Sequence, residues 1–153
     1  MRMIATINGE KIAFEAEAHE MLLDVLRREG YKGVKRGCNT GDCGACAIII
    51  DGVVVNSCIV FAASVQGKEI ITIEGIGTPD DPHPLQTAFD EEGAIQCGFC
   101  TPASIITAYA LLKRNPNPTE EEIRDALSGN LCRCGTYTKQ INAIQRVAKQ
   151  GGD

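Results

Sequence analysis

Met3, Ala5 and Ile7 alternate with polar or outward-facing neighbours, and Ile12, Phe14 and Ala16 do the same beyond Asn8-Gly9. Asn-Gly between two alternating runs predicts a β-hairpin, because both turn positions need φ > 0. Leu22, Val25 and Leu26 then fall at i, i+3 and i+4, the spacing of a short amphipathic helix that stops at Gly30. A glycine-rich, cysteine-bearing loop follows. Ala47 to Ile50 and Val53 to Val55 are apolar runs joined at Asp51-Gly52, a second hairpin signal, and Ile70 to Glu74 is a last β-rich run. This order fits a small sheet wrapped on one helix. It predicts a mixed α+β domain over residues 1–76.

From Gly75 to Pro84 there is too much glycine and proline for helix or strand, and residues 77–83 read as a linker. Beyond it the hydrophobic period changes from two to 3.6. Leu85, Ala88 and Phe89 share one helical face, and Ile105, Ala108, Tyr109 and Leu112 share another. The second of these helices is expected to start at Thr101-Pro102, with threonine as cap and proline at the first helical position. Asn115-Pro116-Asn117-Pro118 breaks it. Thr119 to Glu122 is a capping-box start for a third helix carrying Ile123, Ala126 and Leu127. A fourth, beginning near Thr138, places Ile141, Ile144 and Ala148 on one side. Residues 84–153 are thus predicted to form a small four-helix bundle.

The chain has 153 residues, so each half has only a modest core and calls for staples. Eight cysteines, against no tryptophan, supply candidates for them. The opening MRMIATINGE carries no secretory or twin-arginine signal, and no stretch approaches the roughly 20 apolar residues of a membrane span. The expected location is the cytoplasm, where closely spaced thiols read as metal ligands rather than disulfides. A net charge of −5 with scattered Lys and Arg argues against a nucleic-acid partner.

The first thiol set, Cys38, Cys43, Cys46 and Cys58, is spaced C-x4-C-x2-C-x11-C, with Gly37, Gly41 and Gly44 in or beside the loop. Plant-type ferredoxins bind a 2Fe–2S cluster in this way. The glycines let backbone N–H groups approach the sulfurs. Structural zinc, the competing occupant, more often uses paired C-x2-C knuckles. The second set, Cys97, Cys100, Cys132 and Cys134, is spaced C-x2-C-x31-C-x-C, each pair preceding a predicted helix. Helix N-termini favour nearby negative charge, as on a thiolate-bound centre. Spacing alone leaves iron–sulfur and zinc open here, while a Cys132–Cys134 disulfide is disfavoured by C-x-C geometry. His19 and His83 read as surface or linker residues. Lys35 and Arg36 beside Cys38 either offset cluster charge, meet a partner, or are plainly solvated.

GCNTGDCGAC followed by Cys58, then QCGFCTPA and GNLCRCGTY, together resemble the small iron–sulfur subunit of the molybdenum hydroxylases, the xanthine dehydrogenase and aldehyde oxidoreductase family. The resemblance covers nearly the whole chain. It implies an α+β chain, a ferredoxin-like β-grasp domain followed by a four-helix-bundle domain, each with one 2Fe–2S cluster. Cys38, Cys43, Cys46 and Cys58 would hold the cluster facing the flavin, and Cys97, Cys100, Cys132 and Cys134 the one near molybdenum. It further implies that Gln96 hydrogen-bonds a molybdopterin cofactor and that Cys134 lies beside it; on its own Gln96 is an ordinary polar residue at a helix end. Two positions depart from the usual pattern: Ala103 stands where glycine is common, and Cys134-Gly135-Thr136-Tyr137 stands for Cys-Thr-Gly-Tyr.

The expected role is an electron-transfer subunit of a multi-subunit oxidoreductase, with substrate chemistry in a partner. The resemblance implies that electrons leave a molybdopterin centre in a large subunit, cross both clusters, and reach FAD in a medium subunit. The assembly it implies is a dimer of heterotrimers. Two alternatives remain open: a free-standing two-cluster electron carrier, and a zinc-stapled interaction module. No catalytic constellation of nucleophile and base is present in the chain.

Overall fold

A computed structural model describes residues 1–151. The last two residues of the predicted helical half lie outside the described residues. Strands β1 (Arg2–Ile7) and β2 (Glu10–Glu15) pair antiparallel, with Ile7 opposite Glu10. Asn8 and Gly9 between them have φ of 52° and 84°, the left-handed pair that a two-residue hairpin requires. Strands β3 (Ala47–Ile50) and β4 (Val53–Asn56) form the second hairpin across Asp51-Gly52. Strand β5 (Glu69–Ile71) runs parallel to β1 and antiparallel to β3, giving the order β2-β1-β5-β3-β4. Helix α1 (Leu22–Arg28) presses Leu22, Leu23, Val25 and Leu26 onto one sheet face, against Ile7, Ile48 and Ile70. This is the ferredoxin-like β-grasp arrangement.

The closing β-run is shorter than its sequence suggests. Instead of continuing to Glu74, β5 ends at Ile71 and the chain turns through Ile73–Gly75. Buried Thr72 takes its partners from side chains: its N–H donates to Asn8 Oδ1 at 2.9 Å and its hydroxyl to Glu74 Oε2 at 2.6 Å. Local side-chain bonds of this kind displace ladder pairing.

Four helices follow: α2 (Pro84–Glu91), α3 (Thr101–Arg114), α4 (Glu120–Leu127) and α5 (Tyr137–Lys149). Their shared core includes Leu85, Phe89, Ile105, Ile123 and Ile144. Thr119 and Glu122 make the expected reciprocal capping box on α4. His83, the last linker residue, also caps α2: its Nδ1 accepts from Leu85 N–H at 3.1 Å, and its ring meets Tyr109 edge-on. One expectation about a helix start needs correction. At α3, Thr101 is already helical and Cys100 takes the cap position without a side-chain cap bond. The first-turn N–H groups are therefore left facing the cysteine side of the helix.

The two halves join through the second face of the sheet. Ala47 and Ile49 of β3 pack against Ala103 and Ile106 of α3, with Val54, Ile71 and Tyr109 around them. Strand β3 is consequently buried on both faces, which is why AIII shows no polar alternation. The methyl group of Ala103, one of the departures from the usual pattern, fills this contact at 1% exposure. Truncating Ile106 to alanine leaves a cavity between the halves, at a cost of about 2–5 kcal/mol. Calorimetry on Ile106→Ala should show a lower melting temperature and separate melting of the two halves; an unchanged single transition would contradict this role for the β3–α3 contact.

Candidate metal centres

Each thiol set gathers from two pieces of chain. Cys38 and Cys43 lie on the loop after α1, Cys46 immediately precedes β3, and Cys58 sits in the short turn Ser57–Ile59 after β4. The β3–β4 hairpin thus carries Cys58 back to Cys46, whose thiols interact directly. Thr40 N–H and Cys43 N–H both donate to Cys38 Sγ at 3.4 Å. A Cβ on Gly37 would stand 2.5 Å from Cys43 Sγ, so a side chain there would displace that thiol. Hydrogen bonds from Thr40, then from Cys43, pull the Cys38 thiol down to about 5, whereas burial pushes Cys58 up to about 11.

In the second set, Cys100 at the head of α3 meets Cys132, and Cys97 meets Cys134. Burial pushes Cys100 up to about 11. Cys132 feels the same desolvation, but hydrogen bonds from Thr136 outweigh it and bring the thiol down to about 7. The N–H of Cys97's neighbour Phe99 lowers Cys97. Metal loading of either set therefore displaces protons from its buried thiols. The N-termini of α3 and α5 approach Cys100 and Cys132, while Lys113, Arg114, Arg146 and Lys149 crowd the opposite ends, a polarity that favours negative charge at the thiols.

The two sets are neighbours. A cleft of about 570 Å³ between the halves is lined by Gly37, Cys43 and Ala45 from one side and by Cys97, Cys100 and Cys132 from the other. Leu131 N–H donates to the Cys43 carbonyl at 2.9 Å, and buried Asn130 donates from Nδ2 to the Gly44 carbonyl at 3.2 Å. Gly44 has φ of 71°, and a Cβ there would run into the Gly129 carbonyl oxygen. Among the described residues, no group of three or more His, Cys, Asp or Glu is drawn up to hold a single metal ion. A two-iron centre would be held by the four thiolates of a set and would supply one-electron chemistry there. The donor chemistry, the amides aimed at Cys38 and the glycine cradle fit such a centre.

The remaining sequence candidates fall at the edges. Gln96 is exposed directly before Cys97, and Cys134 is half-buried. Arg36 pairs with Asp24 of α1 and donates to Asn39, which makes it a brace for the loop; His19 is exposed. Asn130 and Gln140 were not among the residues singled out from the sequence, although both are buried, Asn130 against the Gly44 carbonyl and Gln140 against Cys100. Only their amide side chains at otherwise apolar positions could have flagged them.

Two family models match the chain, one in each half. The family described as 2Fe–2S iron-sulfur cluster binding domain matches residues 5–70, and that described as 2Fe–2S binding domain matches residues 72–145. A nicotinate dehydrogenase subunit of Pseudomonas putida is 46% identical over 144 residues, covering 94% of this chain and 92% of its own. The nicotinate dehydrogenase small FeS subunit of Eubacterium barkeri is 48% identical over 143 residues, covering 93% and 90%. Among solved structures, a chain of quinoline 2-oxidoreductase from Pseudomonas putida 86 superposes with a TM-score of 0.93 at 41% identity, over 100% of this chain and 98% of that one.

Placing a side chain at Gly44 forces a left-handed backbone on an ordinary residue and opens the Asn130 contact, a strain of about 1–3 kcal/mol. Gly44→Ala should lower the melting temperature and the iron content together; full iron at unchanged stability would show that this crossing between the loops is dispensable.

Proposed function

The chain belongs to the small 2Fe–2S subunits of the molybdenum hydroxylase family, and from that membership we propose how its own residues serve electron transfer. It is an iron–sulfur electron-transfer subunit of a multi-subunit oxidoreductase. We assign residues 1–76 and 84–153 as its two cluster-holding units, with 77–83 as the connection. Cys38, Cys43, Cys46 and Cys58 are the ligands of the first 2Fe–2S cluster, and Cys97, Cys100, Cys132 and Cys134 those of the second. Each cluster, when bound, takes up and gives back one electron at a time.

The observation that carries this reading is the cleft between the halves, which thiols of both sets line together. The chain's own part is to hold two anionic ligand sets close, at fixed separation, and to shield them from water. The thiols Cys58 and Cys100 are interior members; Cys97 is exposed and Cys134 half-buried, so the second set has an outward edge. Phe99, Leu131 and Ile95 stand exposed around that edge. Exposed apolar groups rimming a site mark a contact surface. Gln96 and Cys134 on this edge suit contact with a molybdopterin-type cofactor held by a large partner, Gln96 by hydrogen bonding. Ile59 and Phe61, exposed beside Cys58, suit a medium FAD-binding partner, within a dimer of heterotrimers. No helix among the described residues is long and apolar enough to cross a membrane. Eight unpaired thiols suit the reducing cytoplasm. We place substrate selection in the large partner.

Single ligand removals test the assignment. Cys58→Ala and Cys100→Ala should each halve the iron, from about four to about two per chain, and each should abolish a different electron paramagnetic resonance signal. Loss of the same signal in both, or of neither, would contradict two independent sets. Purification of the tagged wild-type chain under anaerobic, native conditions should bring with it bound molybdenum and flavin. A fully iron-loaded chain that carries neither would support the free-standing carrier instead.

A further inference from the structure

We propose that Gln140 and Thr136 form a donor pair that sets the reduction potential of the helical-half centre through Cys100 and Cys132. The inference rests on the assignment of Cys97, Cys100, Cys132 and Cys134 as one ligand set. Gln140 is 1% exposed and ranks among the largest fully buried side chains of the chain, an unusual place for an amide. Its Nε2 donates to Thr136 Oγ1 at 2.9 Å and to Cys100 Sγ at 3.7 Å. Thr136 Oγ1 in turn lies 3.3 Å from Cys132 Sγ. The chain of contacts therefore links two thiols that come from different parts of the bundle.

The proton inventory fixes the direction of each bond. A glutamine amide has two protons, and both are committed here, one toward Thr136 and one toward Cys100. A threonine hydroxyl has one proton. Because Thr136 Oγ1 already accepts from Gln140, that proton is free for Cys132 Sγ. Reversing the amide would aim an acceptor-only oxygen at Cys100, and a metal-bound thiolate has no proton to offer it. The orientation seen is the one a loaded site requires. It leaves Gln140 Oε1 buried without a hydrogen-bond partner. A side chain placed only to satisfy the core would not leave its carbonyl unpaired while committing one proton to Cys100 and the other to the hydroxyl that faces Cys132. The backbone N–H of Gln140 also donates to the Thr136 carbonyl at 3.0 Å, which locks the pair on the first turn of α5.

Donors to ligand sulfurs stabilise the more negative, reduced state of a thiolate-bound centre. Gln140 and Thr136 are thus positioning residues that make this centre easier to reduce. The first set has separate donors, the Thr40 and Cys43 amides on Cys38, and serves as an internal control.

The test is a redox titration followed by electron paramagnetic resonance on the full chain, purified anaerobically with the subunits that accompany it. Wild type is compared with Gln140→Met, Thr136→Val and Thr136→Ser. Gln140→Met should lower the midpoint potential of one cluster by at least a tenfold shift in its one-electron equilibrium, about 59 mV, and leave the other unmoved. Thr136→Val should shift the same signal in the same direction, and Thr136→Ser, which keeps the hydroxyl, should restore it. Variants with full iron, lowered thermal stability and unmoved potentials would overturn the proposal and reduce the pair to packing. If Gln140→Met loses iron, the two Thr136 variants decide by the same criterion. A wild-type chain without two cluster signals would instead overturn the ligand assignment, and this inference with it.

Discussion

The packing of β3 on α3 is the contact on which the rest of the molecule depends. Ala47, Ile49, Ala103 and Ile106 form a small dry interface between two halves that each have their own core. Both elements begin one residue after a buried cysteine: Cys46 precedes β3 and Cys100 precedes α3. Docking strand on helix therefore docks one thiol set beside the other. The bonds from Leu131 to the Cys43 carbonyl and from Asn130 to the Gly44 carbonyl close the same junction from the loop side. Small residues matter here because close approach matters: Ala47 and Ala103 bring the backbones together, and Gly44 lets Gly129 pass.

The second constraint is electrostatic. Two thiolate sets brought together in a chain of net charge −5 repel one another and lose hydration unless donors face them. The chain answers with backbone amides at Cys38, uncapped helix starts near Cys100 and Cys132, and the Gln140–Thr136 pair. The Gly135-Thr136 order contributes directly: Gly135 takes φ of 75°, and the hydroxyl then falls at residue 136 beside Cys132.

Much of this was legible in the chain because it is written in local chemistry. Asn8-Gly9 and Asp51-Gly52 dictate turns through φ, Thr119 and Glu122 satisfy each other within one helical turn, and the change of period near residue 84 separates sheet from bundle. The thiol spacings mark out two groups of cysteines for the same reason, and the fold brings Cys58 to Cys46 and Cys100 to Cys132. What was not legible depends on partners distant in sequence. The early end of β5 comes from Asn8, which lies 64 residues from Thr72. Cys100 displaced Thr101 from the cap position because the thiol is carried on the helix end itself. The second buried face of β3 was hinted at by its unbroken apolar run, but nothing local said that α3 would cover it. Asn130 and Gln140 look like ordinary amides until Gly44 and Cys100 are set against them.

The most direct measurement of the two-centre arrangement is iron and sulfide analysis of the anaerobically purified wild-type chain, joined to electron paramagnetic resonance of its fully reduced state. About four irons and four sulfides per chain are expected, with two S = 1/2 signals that broaden one another because the sets share one cleft. A colourless zinc protein, or two signals with no magnetic interaction, would contradict it.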